Sequence, residues 1–334
     1  MANIKDIAEE AGVSIATVSR ALRKPGLVRP ETAQRITDAI NKLAYTPNLI
    51  AASLRRQRAD AVIVAVPDIS NPFTSSFVQG IENIARENDI KVLLGLTEGR
   101  PDLLDRHYDM VTSKQADGMI VLDVNRPSIV VRRKPGDPAL PIVVACEYEG
   151  DIDLPRVRID DIEAAALAAR HIAELGHRAV AIISGPNNQR MSQDRQRGFR
   201  LGLRRCGVEL DPLLVVKGDY SIQSGVDAAT RLLDTARPIT AILCENDEMA
   251  VGAIYAVAMR GLAIPDDISV IGIDNLRFAE FANPGLTTIA LPTTAIGEQA
   301  MRLMLDFTLE GETLTREVIM PHELIVRAST APPR

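Results

Sequence analysis

From Ala61 onward the chain repeats one pattern: a short run of consecutive apolar residues, a turn, and then a stretch with helical spacing. The first series is AVIVAV, KVLLGL, GMIVLD and PIVVAC, with helical patterns near 77–87 and 103–113. A second series starts near Ala179 with AVAIIS, LLVVK, AILC and SVIGI, and its helices fall near 195–206, 221–233 and 247–259. Continuous apolar strands alternating with helices require a parallel sheet covered on both faces. Two series of similar size predict two α/β lobes. In open sheets of this kind ligands bind outside the carboxyl ends of the strands, so the expected site is the cleft between the lobes.

At 334 residues the chain exceeds the roughly 250 to 300 residues at which a single core stops growing. No segment approaches the roughly 18 uninterrupted apolar residues of a membrane span. The start, MANIKDIAEE, lacks an apolar run followed by a cleavage site, so a cytoplasmic protein with no membrane partner is expected. Cys146, Cys206 and Cys244 lie in or beside apolar stretches and read as reduced, buried thiols. His107, His171, His177 and His322 have no metal-ligand spacing, and no metal or cofactor is expected. Enzyme signatures are also missing. GPNNQR, after the strand ending at Ser184, has neither the second glycine nor the lysine of a phosphate loop, and there is no G-x-S-x-G. The acid pairs Asp160 with Asp161 and Asp266 with Asp267 read as solvated or capping groups.

The net charge of −6 is unevenly spread. Residues 1–58 carry ten Lys or Arg against five Asp or Glu, a net +5, which leaves −11 on the remainder. A small basic head on an acidic body suits contact with phosphates at one end only. In the head, Ile4, Ile7, Ala8 and Ala11 lie on one helix face, and Gly12 permits a sharp turn. Ser14 is placed to cap a second helix, with Val18, Ala21 and Leu22 inward and Ile15, Ala16, Ser19 and Arg20 outward. A third helix near 31–43 offers Ala33, Ile36, Ile40 and Leu43 to the pair. By itself this unit fits a small helical bundle as well as a helix-turn-helix.

The strings IKDIAEEAGVSIATVSRAL and VRPETAQRITDAINKLAYTPNLIAASL closely resemble the head and hinge of the lac-repressor (LacI/GalR) family, through its G-V-S-x-x-T-V-S-R-x-L and Y-x-P-N motifs. Arg29 departs from that pattern. It stands where the family usually has Ser or a similar cap before Pro30, which either weakens the start of the third helix or adds a phosphate contact. The resemblance implies a sequence-specific transcriptional regulator, in its commoner mode a repressor, whose second helix enters the major groove of double-stranded operator DNA. Ile15, Ala16 and Arg20 are then the base readers: Arg20 suits guanine O6 and N7, whereas Ile15 and Ala16 offer apolar contact to a thymine methyl. Ser14, Thr17, Ser19, Thr32, Tyr45 and Asn48 are placed to hold phosphates. Residues 48–56 (NLIAASLRR) have helical composition but are too few to hold a helix alone in water. The family places this hinge in the minor groove of a palindromic operator, with Leu54 wedged at the central step and Arg55 beside it. Arg56 and Arg58 add phosphate attraction.

The resemblance continues through VPDISNPF, R-x-x-G-F at Arg195 to Phe199, CENDEMAVGA, SVIGIDN and PGLTTI, which belong to the effector-binding core that the family shares with periplasmic sugar-binding proteins. The implied architecture is an all-α helix-turn-helix head plus a two-lobed α/β sensor of periplasmic-binding-protein type. The expected divisions are a head over 1–46, a hinge and linker over 47–59, and an effector-binding and dimerisation domain over 60–334. Its lobes span roughly 60–160 with 292–320, and 161–291 with the C-terminal end. By motif, a small-molecule effector meets Phe73, Asn125, Arg195, Tyr220, Asn246 and Asp274. An acid, an arginine and an asparagine satisfy neighbouring hydroxyls while the two aromatic rings stack, which fits a sugar or a nucleoside; the absence of Trp leans toward the nucleoside. Arg195 equally suits a structural ion pair, Asn246 a helix cap, and Asp274 a turn carboxylate. Cys146 stands where many family members carry Asp. The ending ASTAPPR lacks apolar heptads, so a homodimer is expected rather than a tetramer.

Overall fold

A computed structural model of the chain describes residues 2–23, 25–45, 58–122, 128–132, 140–146, 154–310 and 317–334. The chain divides into two compact units, Met1–Ala59 and Asp60–Arg334. The hinge positions Asn48, Leu54, Arg55 and Arg56 and the pocket candidate Asn125 lie outside the described residues.

The head packs α1 (Ile4–Glu10), α2 (Ile15–Arg23) and α3 (Pro30–Lys42) around Ile7, Val18 and Ile36, with Ala8, Ala11, Ala21 and Ala39 closing the gaps. Small residues let three short helices approach closely enough to bury three branched side chains completely. Asn3 starts α1 with a reciprocal cap: its side chain accepts from the Lys5 amide at 2.8 Å, and its own amide donates to Asp6 at 2.8 Å. Gly12 makes the turn at φ +60, and Ser14 Oγ accepts from the Thr17 amide at 3.1 Å to begin α2. Leu22, expected inward, is instead 36% exposed, and the core of the head is closed by Val18 and Ala21 on the other side of α2. Ala33, Ile40 and Leu43 are half-buried, and Ala39 takes the central place on α3. Arg29 makes no side-chain cap. Pro30 at the first helical position removes one of the amides that would have needed a partner.

The second unit holds two sheets. β1 (Ala61–Val66), β2 (Lys91–Leu96), β3 (Gly118–Val121), β4 (Ile142–Ala145) and β5 (Arg156–Ile159) form the first lobe, with α4 (Pro72–Glu87), α5 (Pro101–Thr112) and α6 (Ser128–Arg132). The chain then crosses to the second lobe with α7 (Asp161–Glu174), β6 (Val180–Ser184), α8 (Arg190–Arg205), β7 (Val215–Lys217), α9 (Ile222–Leu233), β8 (Ala241–Cys244), α10 (Asp247–Met259), β9 (Ser269–Asp274) and β10 (Thr287–Ala290). It returns to the first with α11 (Thr293–Glu310) and β11 (Glu317–Met320), and ends in the second with β12 (Glu323–Ile325). The strand orders are β11-β5-β4-β3-β1-β2 and β12-β10-β9-β8-β6-β7. Every pairing is parallel except that of β10 with β12. The C-terminal residues are pinned to the second sheet, where Ser329 Oγ donates to the Val270 carbonyl at 2.6 Å and buried His177 bridges Thr240 and the Ala331 carbonyl.

Two expectations are corrected. KVLLGL reads as a fully buried strand, but β2 is the edge of its sheet, and Leu94 and Leu96 are 41% and 42% exposed. Of the three cysteines only Cys244 is buried; Cys146 and Cys206 are half-exposed.

The crossing helices are welded to their lobes by backbone contact. A Cβ at Gly198 of α8 would stand 2.2 Å from the Ile162 carbonyl of α7, and one at Gly80 of α4 would stand 2.0 Å from the Thr294 carbonyl of α11. Gly198→Ala therefore forces α7 and α8 apart. It is expected to destabilise the chain by about 1 to 3 kcal/mol in equilibrium urea unfolding, the ordinary range for an overpacked core.

Candidate functional site

Between the lobes lies a cavity of about 210 Å³. It gathers Phe73, Arg195, Tyr220, Asn246 and Asp274 from five separate stretches of sequence, and Cys146 also lines it. The first lobe supplies Pro67, Phe73, Leu122 and Ile159 with the polar Asn71 and Thr74, whereas the second supplies the charged Asp161, Arg195 and Asp274 with Gln189, Tyr220 and Asn246 and the apolar Met191 and Leu291. Asp161 was expected to be a solvated or capping group. Its side chain is only 14% exposed, because the crossover from β5 into α7 carries it directly beneath Arg195. Gln189 and Met191 were also missed. They follow the loop after β6, and the rule that places sites at strand ends would have marked them.

Arg195 is the electrostatic centre. Its Nε donates to Asp161 Oδ1 at 2.8 Å, its Nη1 donates to the Glu245 carbonyl, and Nη1 stands 3.6 Å from Asp274 Oδ1. Burial opposes the charge of the guanidinium, but Asp161 and Asp274 more than offset this and hold its pKa above the ordinary value. Arg195 thus forms a buried ion pair and also lines the cavity. Asn246 likewise combines both readings: Oδ1 caps α10 by accepting from the Met249 amide at 3.0 Å, and Nδ2 donates to the Tyr220 carbonyl at 2.9 Å. The second bond fixes Tyr220 in a left-handed conformation, φ 72. The Tyr220 ring sits over Gly185, where a Cβ would come within 2.2 Å of it. Asp274 (φ 118) and Cys146 (φ 64) are also left-handed, so three non-glycine residues in this sparsely populated region line one cavity.

Burial raises the carboxyls around Arg195. Glu245, fully buried, accepts at Oε2 from the Gly185 amide at 2.8 Å and the Tyr220 hydroxyl at 3.3 Å, yet desolvation still lifts it to about 7. Asp247 is also lifted by burial to about 7, although Thr288 and the Leu276 amide donate to it at 2.6 and 2.8 Å. Asp274 is pushed well above the carboxylate range, mainly by burial, against the pull of Arg195.

In the head, Ile15, Ala16 and Arg20 share the exposed face of α2, opposite the buried Val18 and Ala21. Ser14 is exposed, and its hydroxyl lies 2.9 Å from that of Thr17, so the two are joined by the helix cap. Ser19 and Thr32 are half-buried, and Tyr45 packs against the head core. Arg35, one of the ten basic residues of the segment 1–58, bends back on the head. Its guanidinium donates to the carbonyls of Ala11 and Gly12 and ties α3 to the turn. Among the described residues no helix is long and apolar enough to cross a membrane.

A three-helix head with an exposed second helix, joined to a two-lobed sensor with an interlobe cavity, defines a DNA-binding transcription regulator with an effector-binding domain. Comparison with known proteins agrees. Residues 3–48 match the model of bacterial regulatory proteins, lacI family, and residues 169–330 match a periplasmic binding protein-like domain. The chain is 37% identical to the HTH-type transcriptional repressor CytR of Escherichia coli (strain K12) over 98% of its own length and 96% of that protein. The structure of the transcriptional regulator CelR-cellobiose complex is similar at TM-score 0.73 and 28% identity, covering 98% of this chain and 100% of that one. The lac repressor dimer bound to operator and the anti-inducer ONPF shares the fold at TM-score 0.88 and 24% identity, over 99% of each chain. The chain belongs to the lacI family of bacterial regulatory proteins.

The raised carboxyl of Glu245 gives a test of sign. Below about pH 4.5 it is neutral in both folded and unfolded chains; as pH climbs toward 7 the unfolded chain ionises first, and stability is lost. Glu245→Gln keeps an acceptor for Gly185 and cannot ionise. Thermal unfolding between about pH 5 and pH 8 is expected to show the variant gaining on the wild type by a few degrees as pH rises.

Proposed function

We propose that the chain is a repressor that binds a palindromic operator as a homodimer and is released or recruited by a nucleoside or sugar in the interlobe cleft. The observation that carries this reading is that one cavity brings the rings of Phe73 and Tyr220 together with the polar groups of Asp161, Arg195, Asn246 and Asp274. A ring with hydroxyls along one edge suits such a lining, because each hydroxyl both donates and accepts. The cellobiose held by CelR is a ligand of this class. For the dimer, the second lobe leaves Ile222, Tyr255, Met259 and Phe281 exposed, with Tyr255 and Met259 one turn apart on α10. Exposed apolar clusters of this kind mark association surfaces. Ligand in the cleft then alters the angle between lobes, and with it the spacing of two hinges carrying Leu54 and Arg55. A coupling of about 1 to 3 kcal/mol is typical of such control.

The decisive experiment is operator binding by gel shift with and without ligands found by thermal-shift screening of nucleosides and sugars. Asp274→Asn is expected to lower ligand affinity at least about tenfold while leaving operator affinity in the absence of ligand unchanged. Unchanged ligand response would remove Asp274 from the site. In the head, Arg20 lies on the exposed face of α2 and is able to donate two hydrogen bonds to a single base edge. Arg20→Ala is expected to relax base preference at one position of each half-site in a binding-selection assay and to weaken binding by about 1 to 3 kcal/mol. An unaltered preference would reassign the reading.

A further inference from the structure

Helix α8 concentrates positive charge on an acidic body. Its sixteen residues hold six arginines against Asp194, a net +5 within residues 59–334, whose net charge is −11, and this leaves −16 for the rest of them. Three of the six have acid partners: Arg190 with Asp194 at 2.8 Å, Arg195 with Asp161 at 2.8 Å and Arg205 with Glu163 at 3.7 Å. Arg197, Arg200 and Arg204 are exposed and, among the described residues, form no ion pair or side-chain hydrogen bond. Spaced three and four residues apart, they stand in one row along about 10.5 Å of helix. The opposite face is clamped to α7, where a Cβ at Gly202 would stand 2.4 Å from the Ala166 carbonyl, so the row has a rigid support. Like charges one turn apart on a helix repel, and no acid lies between Arg197 and Arg204 to relieve them.

The three guanidiniums line an open groove of about 590 Å³ with Asn187, Gln193, Gln196 and Leu201. The two glutamine amides are already engaged: Gln193 donates to the Asn187 carbonyl at 2.9 Å, and Gln196 to Asn187 Oδ1 at 3.1 Å. The arginines are therefore the donors left for an occupant. Because α8 and one residue of the loop before it make the whole lining, the groove has a floor and no opposing wall, whereas a small ligand needs most of its surface enclosed. The occupant has to bring the other wall, which calls for a macromolecule. A nucleic acid, charged about every 1.7 Å of its length, would run past the row onto a surface of net −16, and the lining holds no aromatic ring to stack a base. A helix with carboxylates on one face is confined to the row and matches its spacing, and each carboxylate fits the two-pronged edge of a guanidinium. Leu201, half-buried beside the row, adds an apolar contact. We propose that the outer face of α8 is a docking surface for an acidic helix of a protein partner, one that presents carboxylates three and four residues apart to Arg197, Arg200 and Arg204. The inference is independent of what occupies the interlobe cleft.

The test uses the full chain and two fluorescein-labelled, alanine-rich helical peptides of equal composition. One carries three glutamates at spacings of three and four residues, on one face; in the other the same glutamates are spread around the helix. Fluorescence anisotropy at low ionic strength is expected to show the one-face peptide binding at least about fivefold more tightly than the spread one. Combining Arg197→Gln, Arg200→Gln and Arg204→Gln is expected to weaken the one-face peptide at least about tenfold, as loss of three exposed ion pairs implies, and Arg205→Gln less than about twofold. The basic head is the same in every variant, so binding there cancels in the comparison. Replacing the same three arginines by glutamate is expected to transfer binding to a peptide with lysines in place of the one-face glutamates, an outcome that a misfolded chain cannot produce. Equal affinity for the two glutamate peptides, undiminished binding by the triple glutamine variant, no transfer to the lysine peptide, or no measurable binding to the unmodified chain overturns the proposal. A DNA duplex without an operator is titrated in parallel. If the triple glutamine variant loses at least about tenfold in duplex affinity and nothing in peptide affinity, the surface belongs to nucleic acid and the proposal falls.

Discussion

The buried charge of Arg195 is the constraint on which the rest of the sensor turns. Its partners arrive from three places: Asp161 at the start of α7, the Glu245 carbonyl after β8, and Asp274 at the end of β9. Removing one partner of such a buried pair typically costs about 3 to 5 kcal/mol, because the other charge remains in place without water. The crossing helix, two strand ends and the floor of the cavity are therefore one electrostatic unit. Glu245 extends it through Tyr220 and Gly185, and Asp247 extends it through Thr288 and Leu276.

That unit also accounts for the unusual backbone around the cavity. Tyr220 and Asp274 keep left-handed conformations that cost about 1 to 3 kcal/mol each when unsupported. Asn246 pins the Tyr220 carbonyl, and Arg195 faces the Asp274 carboxylate. The polar groups of the cavity are thus held in place by the protein's own contacts.

Much of the fold was legible in the sequence. The runs 61–66 and 241–244 coincide with β1 and β8, because buried parallel strands have no polar face to interrupt them, and the run 91–96 coincides with β2 although that strand is an edge. The head helices were legible from the spacing of Ile7, Val18 and Ile36 and from Ser14 and Gly12 at the turn. β5, β10, β11 and β12 were not. RVRI and EVIM alternate in polarity, and TTIA and ELI are too short to stand out from a loop. Nor were α7 and α11 assigned: α7 is alanine-rich and carries little periodic signal, and α11 is buried against α4, a helix far away in sequence.

For the second helix of the head, the sequence by itself determined the exposed face bearing Ile15, Ala16 and Arg20, since the Ser14 cap, the Gly12 turn and the apolar Val18 and Ala21 set which side is buried. It determined the two lobes through their strand runs, and the family motifs marked Phe73, Arg195, Tyr220, Asn246 and Asp274, which line one cavity. Only the tertiary structure decided that Asp161 is a buried partner rather than a solvated cap, that Arg35 turns inward, and that β2 is an edge. Each of these depends on which segment passes nearby, and burial and charge pairing are set by neighbours that local spacing does not specify.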